Sequence, residues 1–202
     1  MPLVPKAMQG FMTVKASSKL MSGSKLSYIT GAISSATSTY ILAASIVNST
    51  NIALGPGAGT QTGKIVGLTP SAMSVLMMSK AAAQGLSGRD IKALFDSVSF
   101  GVVNALKATL LQGSIIGAGP GTGTGKITGL VPESLKGLIL AQSAFRLISG
   151  DKLKSLVSAI AFGICNHIMS VGTVQVTNIG VAAGPPVGPI TIPAAPGIGK
   201  LV

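Results

Sequence analysis

The feature that most constrains this chain is an internal repeat, because a sequence copied three times must build three similar pieces before it builds anything else. Residues 4–23 align without a gap to residues 131–150, and residues 69–88 form a third stretch of the same length. In each, a proline (Pro5, Pro70, Pro132) stands seventeen residues before the serine of a Ser-Gly pair (Ser22-Gly23, Ser87-Gly88, Ser149-Gly150). A second apolar segment follows every Ser-Gly. The match is clearest where Ser99-Phe100-Gly101-Val102-Val103-Asn104 meets Ala161-Phe162-Gly163-Ile164-Cys165-Asn166 at the same offset. Each copy then closes on Gly-Lys and an aliphatic residue: Gly63-Lys64-Ile65, Gly125-Lys126-Ile127 and Gly199-Lys200-Leu201. The repeat divides the chain into 1–68, 69–130 and 131–202, the last with a long proline-rich C-terminal arm.

Within a unit the apolar spacing predicts two helices. Leu135, Leu138, Ile139, Gln142, Phe145 and Ile148 fall on one helical face behind Pro132, and Met8, Phe11, Met12 and Met73, Leu76, Met77 repeat the stripe. In the second segment Ile91, Leu94, Phe95, Val98, Val102 and Leu106 keep helical spacing, as do Leu153, Leu156, Val157, Ile160, Ile164 and Ile168, and Leu26, Ile29, Ile33 and Tyr40. Each unit therefore begins as a helical hairpin hinged at Ser-Gly, where the glycine can close the first helix or the serine can cap the second. Small residues on the second helices, such as Ser34, Ser99, Gly101 and Gly163, predict close packing within a bundle or between subunits.

The material after each hairpin is different. Residues 53–68, 113–130 and 173–202 are rich in Gly, Pro, Thr and isolated aliphatics, which disfavours helix and is too apolar for a solvated linker. Such segments are expected to be extended, and their backbone groups must find water or another strand. The arms are expected to pair with one another or to lie on a neighbouring subunit. The fold class is thus mainly α with extended Gly/Pro-rich arms: three repeats, each a helical hairpin followed by a β-like arm. Equivalent units would make one chain a pseudo-trimer about a pseudo-threefold axis, and the unequal arm lengths favour this over a linear stack of hairpins.

Composition narrows function mainly by exclusion. Four acids stand against fifteen Lys and Arg in 202 residues, a formal charge of +11, and only 3% of residues are aromatic, with no Trp. The core must therefore be aliphatic. Three acids have structural work in the predicted helices: Asp90 and Asp151 in a first turn, and Glu133 directly after Pro132. Asp96 lies four residues after Lys92, a spacing for a surface pair. No two carboxylates converge on an acid/base pair or metal site, so no enzyme, cofactor, metal or catalytic residue is expected. His167 and Cys165 are each unique in the chain, too few to complete a four-ligand site, and Cys165 reads as a small buried hydrophobe. Lysines at 6, 15, 19 and 25 interrupt the start of the chain, so no cleaved secretory signal is expected, and every apolar run breaks within about 15 residues, short of a membrane span.

The run from Gly119 to Lys126 imitates a phosphate-cradling loop but departs from it. Pro120 takes the place of the first glycine, Ile127 follows the lysine where Ser or Thr is needed, and Pro132 lies too close for a helix to start at Lys126. A repeated turn or strand carrying a surface lysine is the simpler reading. Gly63, Lys64, Gly125, Lys126, Gly199 and Lys200 are accordingly the candidate interface and anion-contact residues. The other bases are spread over all three units without aromatic interleaving, which argues against sequence-specific nucleic-acid recognition.

Hairpins running from Pro to Ser-Gly, together with Gly123-Thr124-Gly125-Lys126-Ile127-Thr128-Gly129-Leu130, resemble the small structural proteins of tailed-phage virions. The resemblance implies a multicopy, non-enzymatic component of a tail, baseplate, neck or capsid, located in the virion. Its expected partners are further copies of itself and other virion proteins, with non-specific contact to packaged nucleic acid and no small-molecule substrate. Helices would pack into an oligomer and Gly-rich arms would bridge subunits. The competing reading is a cationic membrane-active protein with amphipathic helices.

Overall fold

The computed structural model describes residues 3–53, 59–116, 122–178 and 195–201. It is mainly helical with an antiparallel sheet, and the elements run helix, helix, strand, strand three times over. They are α1 (Pro5–Ser17), α2 (Ser24–Ala44), β1 (Ile46–Ala53), β2 (Gly59–Val66), α3 (Pro70–Ala82) and α4 (Arg89–Ala108), then β3 (Leu110–Ile116), β4 (Thr122–Thr128), α5 (Pro132–Phe145), α6 (Asp151–Val171), β5 (Thr173–Asn178) and β6 (Ala195–Leu201).

Proline sets the start of α1, α3 and α5. The residue before it (Val4, Thr69, Val131) is extended, as the proline ring demands, and the helix begins at the proline. These three helices end alike: the N–H groups of Met21, Leu86 and Ile148 donate to the carbonyls of Ala16, Ala81 and Ser143 at 3.1, 3.0 and 3.0 Å. The residue that turns the chain is left-handed, with φ of 57° at Leu20, 72° at Gly85 and 59° at Leu147. This is the Schellman closure, usually a glycine position. The Ser-Gly glycine therefore does not close the first helix, and its serine does not cap the second. Gly23, Gly88 and Gly150 are themselves the N-cap residues of α2, α4 and α6, at φ 118°, 122° and 129° with ψ near 160°, a region only glycine enters without strain.

The helices close into a ring in chain order, each packing on the one before and the one after, with α6 returning to α1. The shorter helices bury one stripe: Met8, Met12 and Ala16 in α1, Met73, Met77 and Ala81 in α3, where Ser74 is buried as well, and Leu135, Ile139 and Ser143 in α5. This stripe runs at steps of four, so Phe145, expected on the inner face, is left 84% exposed at the helix end. The longer helices bury more of their circumference; in α4, Ser97, Val98, Ser99, Gly101, Val102 and Val103 are all buried. Small residues let them approach their neighbours. A Cβ on Gly101 would lie 2.5 Å from Ile139 Cγ1, and one on Gly163 would collide with the Met12 side chain and sit 2.9 Å from its backbone nitrogen. Among the described residues α6 is the one helix long and apolar enough to cross a membrane, and 56% of that stretch is buried inside the protein.

Each arm expected to be extended holds the second strand of an antiparallel pair, whose first strand starts at Ile46, Leu110 or Thr173, ahead of the expected arm in the first two units. The six strands join in chain order and β6 returns to β1, closing a barrel. Within the pairs Val47 faces Ile65, Leu111 faces Ile127 and Val174 faces Leu201; Ser49 faces Gly63, Gly113 faces Gly125 and Val176 faces Gly199. Between pairs Gly63 faces Leu111, Gly125 faces Val174 and Gly199 faces Val47. Six strands enclose less space than the eight that side chains just fill. Glycine makes the narrow barrel possible: a Cβ on Gly113 would collide with Thr124 O and lie 2.5 Å from Gly125 Cα. Buried Val47, Ile65, Leu111, Ile127 and Val174 seal the helix-proximal end and belong to the same core as the helices. Each described strand is paired on both sides within the chain. Pro185, Pro186, Pro189 and Pro193 of the last arm lie outside the described residues, while Pro196 pairs with Thr50 on β1.

Candidate functional site

The repeated Gly-Lys residues occupy one position in β2, β4 and β6. The strand alternates there: Ile65 and Ile127 are buried, while Lys64 and Lys126 between them and the glycines point outward and are exposed. Across the hairpins Lys64 is in register with Asn48, Lys126 with Gln112 and Lys200 with Gln175. The side chain of Lys200 lies outside the described residues. Among the described residues neither Lys64 nor Lys126 takes part in an ion pair. Lys126 stands in mid-strand, away from any helix N-terminus, so its surroundings are not a phosphate cradle. A shallow recess of about 360 Å³ on the outside of β1–β3 is lined by Asn48, Thr62, Gly63, Lys64, Val66 and Leu110.

The acids fall where helix starts and one inter-helix junction need them. Asp90, Glu133 and Asp151 lie in first turns of α4, α5 and α6. Lys136 hydrogen-bonds Glu133 at 2.8 Å and holds its carboxyl below the ordinary range. Asp96 does more than pair with Lys92 at 2.8 Å: it accepts a hydrogen bond from Ser74 Oγ of α3 and faces Arg146 at 3.3 Å beyond the end of α5. Burial alone would raise its pKa; the hydrogen bonds from Lys92 and Ser74, with the positive fields of Lys92 and Arg146, outweigh that and lower it. Asp96 thereby ties three helices together.

Cys165 is buried in α6, and desolvation pushes its thiol up to about 12, so it carries no thiolate at neutral pH. His167, on the same helix, is 2% exposed and accepts a hydrogen bond at Nε2 from the Val4 backbone N–H at 3.0 Å. Burial lowers its pKa. Tyr40 makes the counterpart contact on α2: its hydroxyl accepts from the Thr69 N–H at 2.9 Å and lies 3.1 Å from Thr69 Oγ1. Val4 and Thr69 both precede the helix-starting proline, and Tyr40 and His167 both stand seventeen residues after the Ser-Gly glycine. The third such position is Ala105, which has no polar atom to offer. Sequence reading left these contacts out, although aligning the second helices from Ser-Gly places Tyr40, Ala105 and His167 in one column.

No group of three His, Cys, Asp or Glu side chains lies together among the described residues. Comparison with family models, curated proteins and solved structures finds no match to the chain.

Proposed function

We propose that the protein is a non-enzymatic structural subunit of a tailed-phage virion, built as a pseudo-threefold unit from three helix–helix–strand–strand repeats. The observation that carries this reading is the register around the barrel. Gly63, Gly125 and Gly199 meet Leu111, Val174 and Val47 in the same way at each passage from one strand pair to the next. Three equivalent faces on one rigid chain suit a position on or beside a symmetry axis of a larger particle.

The surface supports contact with other proteins. Val14, Val75 and Phe145 stand 72%, 69% and 84% exposed on the short helices α1, α3 and α5, and Leu20 and Leu147 at the hairpin tips are 97% and 90% exposed. Apolar side chains displayed around a basic surface suit copies of the chain or neighbouring virion proteins, and the outward lysines suit an anionic surface such as packaged nucleic acid. Free strand edges are not needed for this role.

The membrane-active reading is favoured by one observation, the length and apolarity of α6. Two measurements separate the readings. Mass spectrometry of gradient-purified particles should find the protein at a fixed stoichiometry with other virion proteins, and purified protein should leave phosphatidylglycerol vesicles intact. Absence from the particle, combined with dye release from the vesicles, would overturn the structural reading in favour of the membrane one.

A further inference from the structure

We propose that His167 is an acid-sensitive latch on the seam where α6 closes the helical ring against α1. Two of the three seams between helix pairs are joined by continuous chain, through residues 66–70 and 128–132. The α6·α1 seam is not: it brings together residues 163 positions apart, His167 and Val4. Its integrity rests on packing, including Met12 against Gly163, on the β1·β6 ladder, and on this hydrogen bond.

The bond has a chemical polarity that the corresponding one lacks. Accepting from Val4 N–H requires a lone pair on Nε2, so the neutral ring carries its proton on Nδ1. Protonation turns Nε2 into a donor facing another donor, and places a cation where 98% of the residue's surface is covered. The Tyr40 hydroxyl, by contrast, accepts from Thr69 N–H through an oxygen that keeps acceptor lone pairs while it carries its own proton. One seam is therefore built to respond to acid and its counterpart to ignore it.

The surroundings offer the cation no relief. Elements packed on α6 carry Lys6 and Lys15 (α1), Glu133 and Lys136 (α5) and Lys126 (β4), and α6 itself begins with Asp151, Lys152 and Lys154. Glu133 is engaged by Lys136, Asp151 by Lys154, and Lys15 lies 5.1 Å from the Phe162 ring centroid. The ring nearest His167 is Phe11, at 6.4 Å between centroids. Burial is the cause that lowers the His167 pKa, so the unfolded chain takes up the proton first. Stability from this site is then complete above the ordinary histidine value, about 6.5, and is lost as pH falls below it towards the folded value.

Amide hydrogen exchange on the full-length protein tests the latch, with Thr69 as internal control. After correction for intrinsic rates, lowering pH from about 7.5 to about 5 should speed exchange at Val4 and along the first turns of α1 several-fold, with Thr69 unchanged. His167→Tyr, which copies the Tyr40 arrangement, should remove the pH dependence, and thermal unfolding of that variant should be flat across the same window where the wild type declines. Equal pH responses at Val4 and Thr69 in the wild type would overturn the proposal even if the variant failed to fold. A folded variant that tracked the wild type would overturn it too.

Discussion

The helical ring and the barrel pass through the same three seams but solve them with different material. In the ring, one seam sets Gly101 against Ile139 and another sets Gly163 against Met12, while Ala36 takes the aligned position in the first unit. The partners vary in size because volume removed from one helix can be returned by the other. In the barrel, position 63, 125 or 199 is always glycine, and the residue across the seam is Leu111, Val174 or Val47. A Cβ on Gly125 would lie 3.2 Å from Gln112 O, so at that position the limit is the approach of one backbone to another, which no side-chain exchange can relax. A helical seam can therefore drift in sequence while a barrel seam keeps its glycine.

Substitutions that probe each layer should differ in size. Gly113→Val places a side chain against Thr124 O and the Gly125 backbone and should cost about 3 kcal/mol or leave the protein insoluble, read by denaturant unfolding. Gly163→Val, whose clash is partly with the flexible Met12 side chain, should cost about 2 kcal/mol, and adding Met12→Ala should recover part of it. Equal losses in the two layers, or no recovery in the double variant, would erase the contrast.

Smaller effects sharpen the differences among the hairpins. Asp96 has no counterpart in the other units, where Gly31 and Ser158 align with it. Asp96→Ala should destabilise by about 1–2 kcal/mol by releasing Ser74, Lys92 and Arg146. Because the folded carboxyl titrates below its ordinary value, this contribution is present above about pH 4 and is lost as pH falls through the folded pKa; the variant and wild type should converge in strong acid. Leu147→Gly should raise the melting temperature slightly, by up to about 1 kcal/mol of stability, since the leucine is 90% exposed at φ 59° where the second hairpin has Gly85. No gain would mean that Leu147 makes contacts that offset its backbone strain.

The parts legible in sequence were those with side-chain periodicity. Pro5, Pro70 and Pro132 mark the helix starts, and the apolar spacing after Ser-Gly gives the long helices. The strand pairs were visible only as extended arms, because Thr122-Gly123-Thr124-Gly125 offers little apolar alternation from which to place a turn or register. The Ser-Gly pair was legible as a hinge but not in its geometry: leucine is a poor candidate for a left-handed position, so Leu20 and Leu147 hid the true helix ends. Among the candidate residues, Lys64 and Lys126 were recognisable as surface lysines from their repeat. The His167 contact depended on Val4, more than 160 residues away, and no local pattern carries a pairing over that distance.

The third unit closes on the first within a single chain, through β6 on β1 and α6 on α1. Cross-strand nuclear Overhauser effects between β1 and β6 test it directly, in uniformly labelled protein and in a sample mixed from labelled and unlabelled chains. Closure within one chain gives contacts for Val47 with Gly199 and Asn48 with Ile198 in the uniform sample, and no labelled-to-unlabelled transfer across that seam in the mixed one. Absence of these contacts, or their appearance between chains, would contradict it.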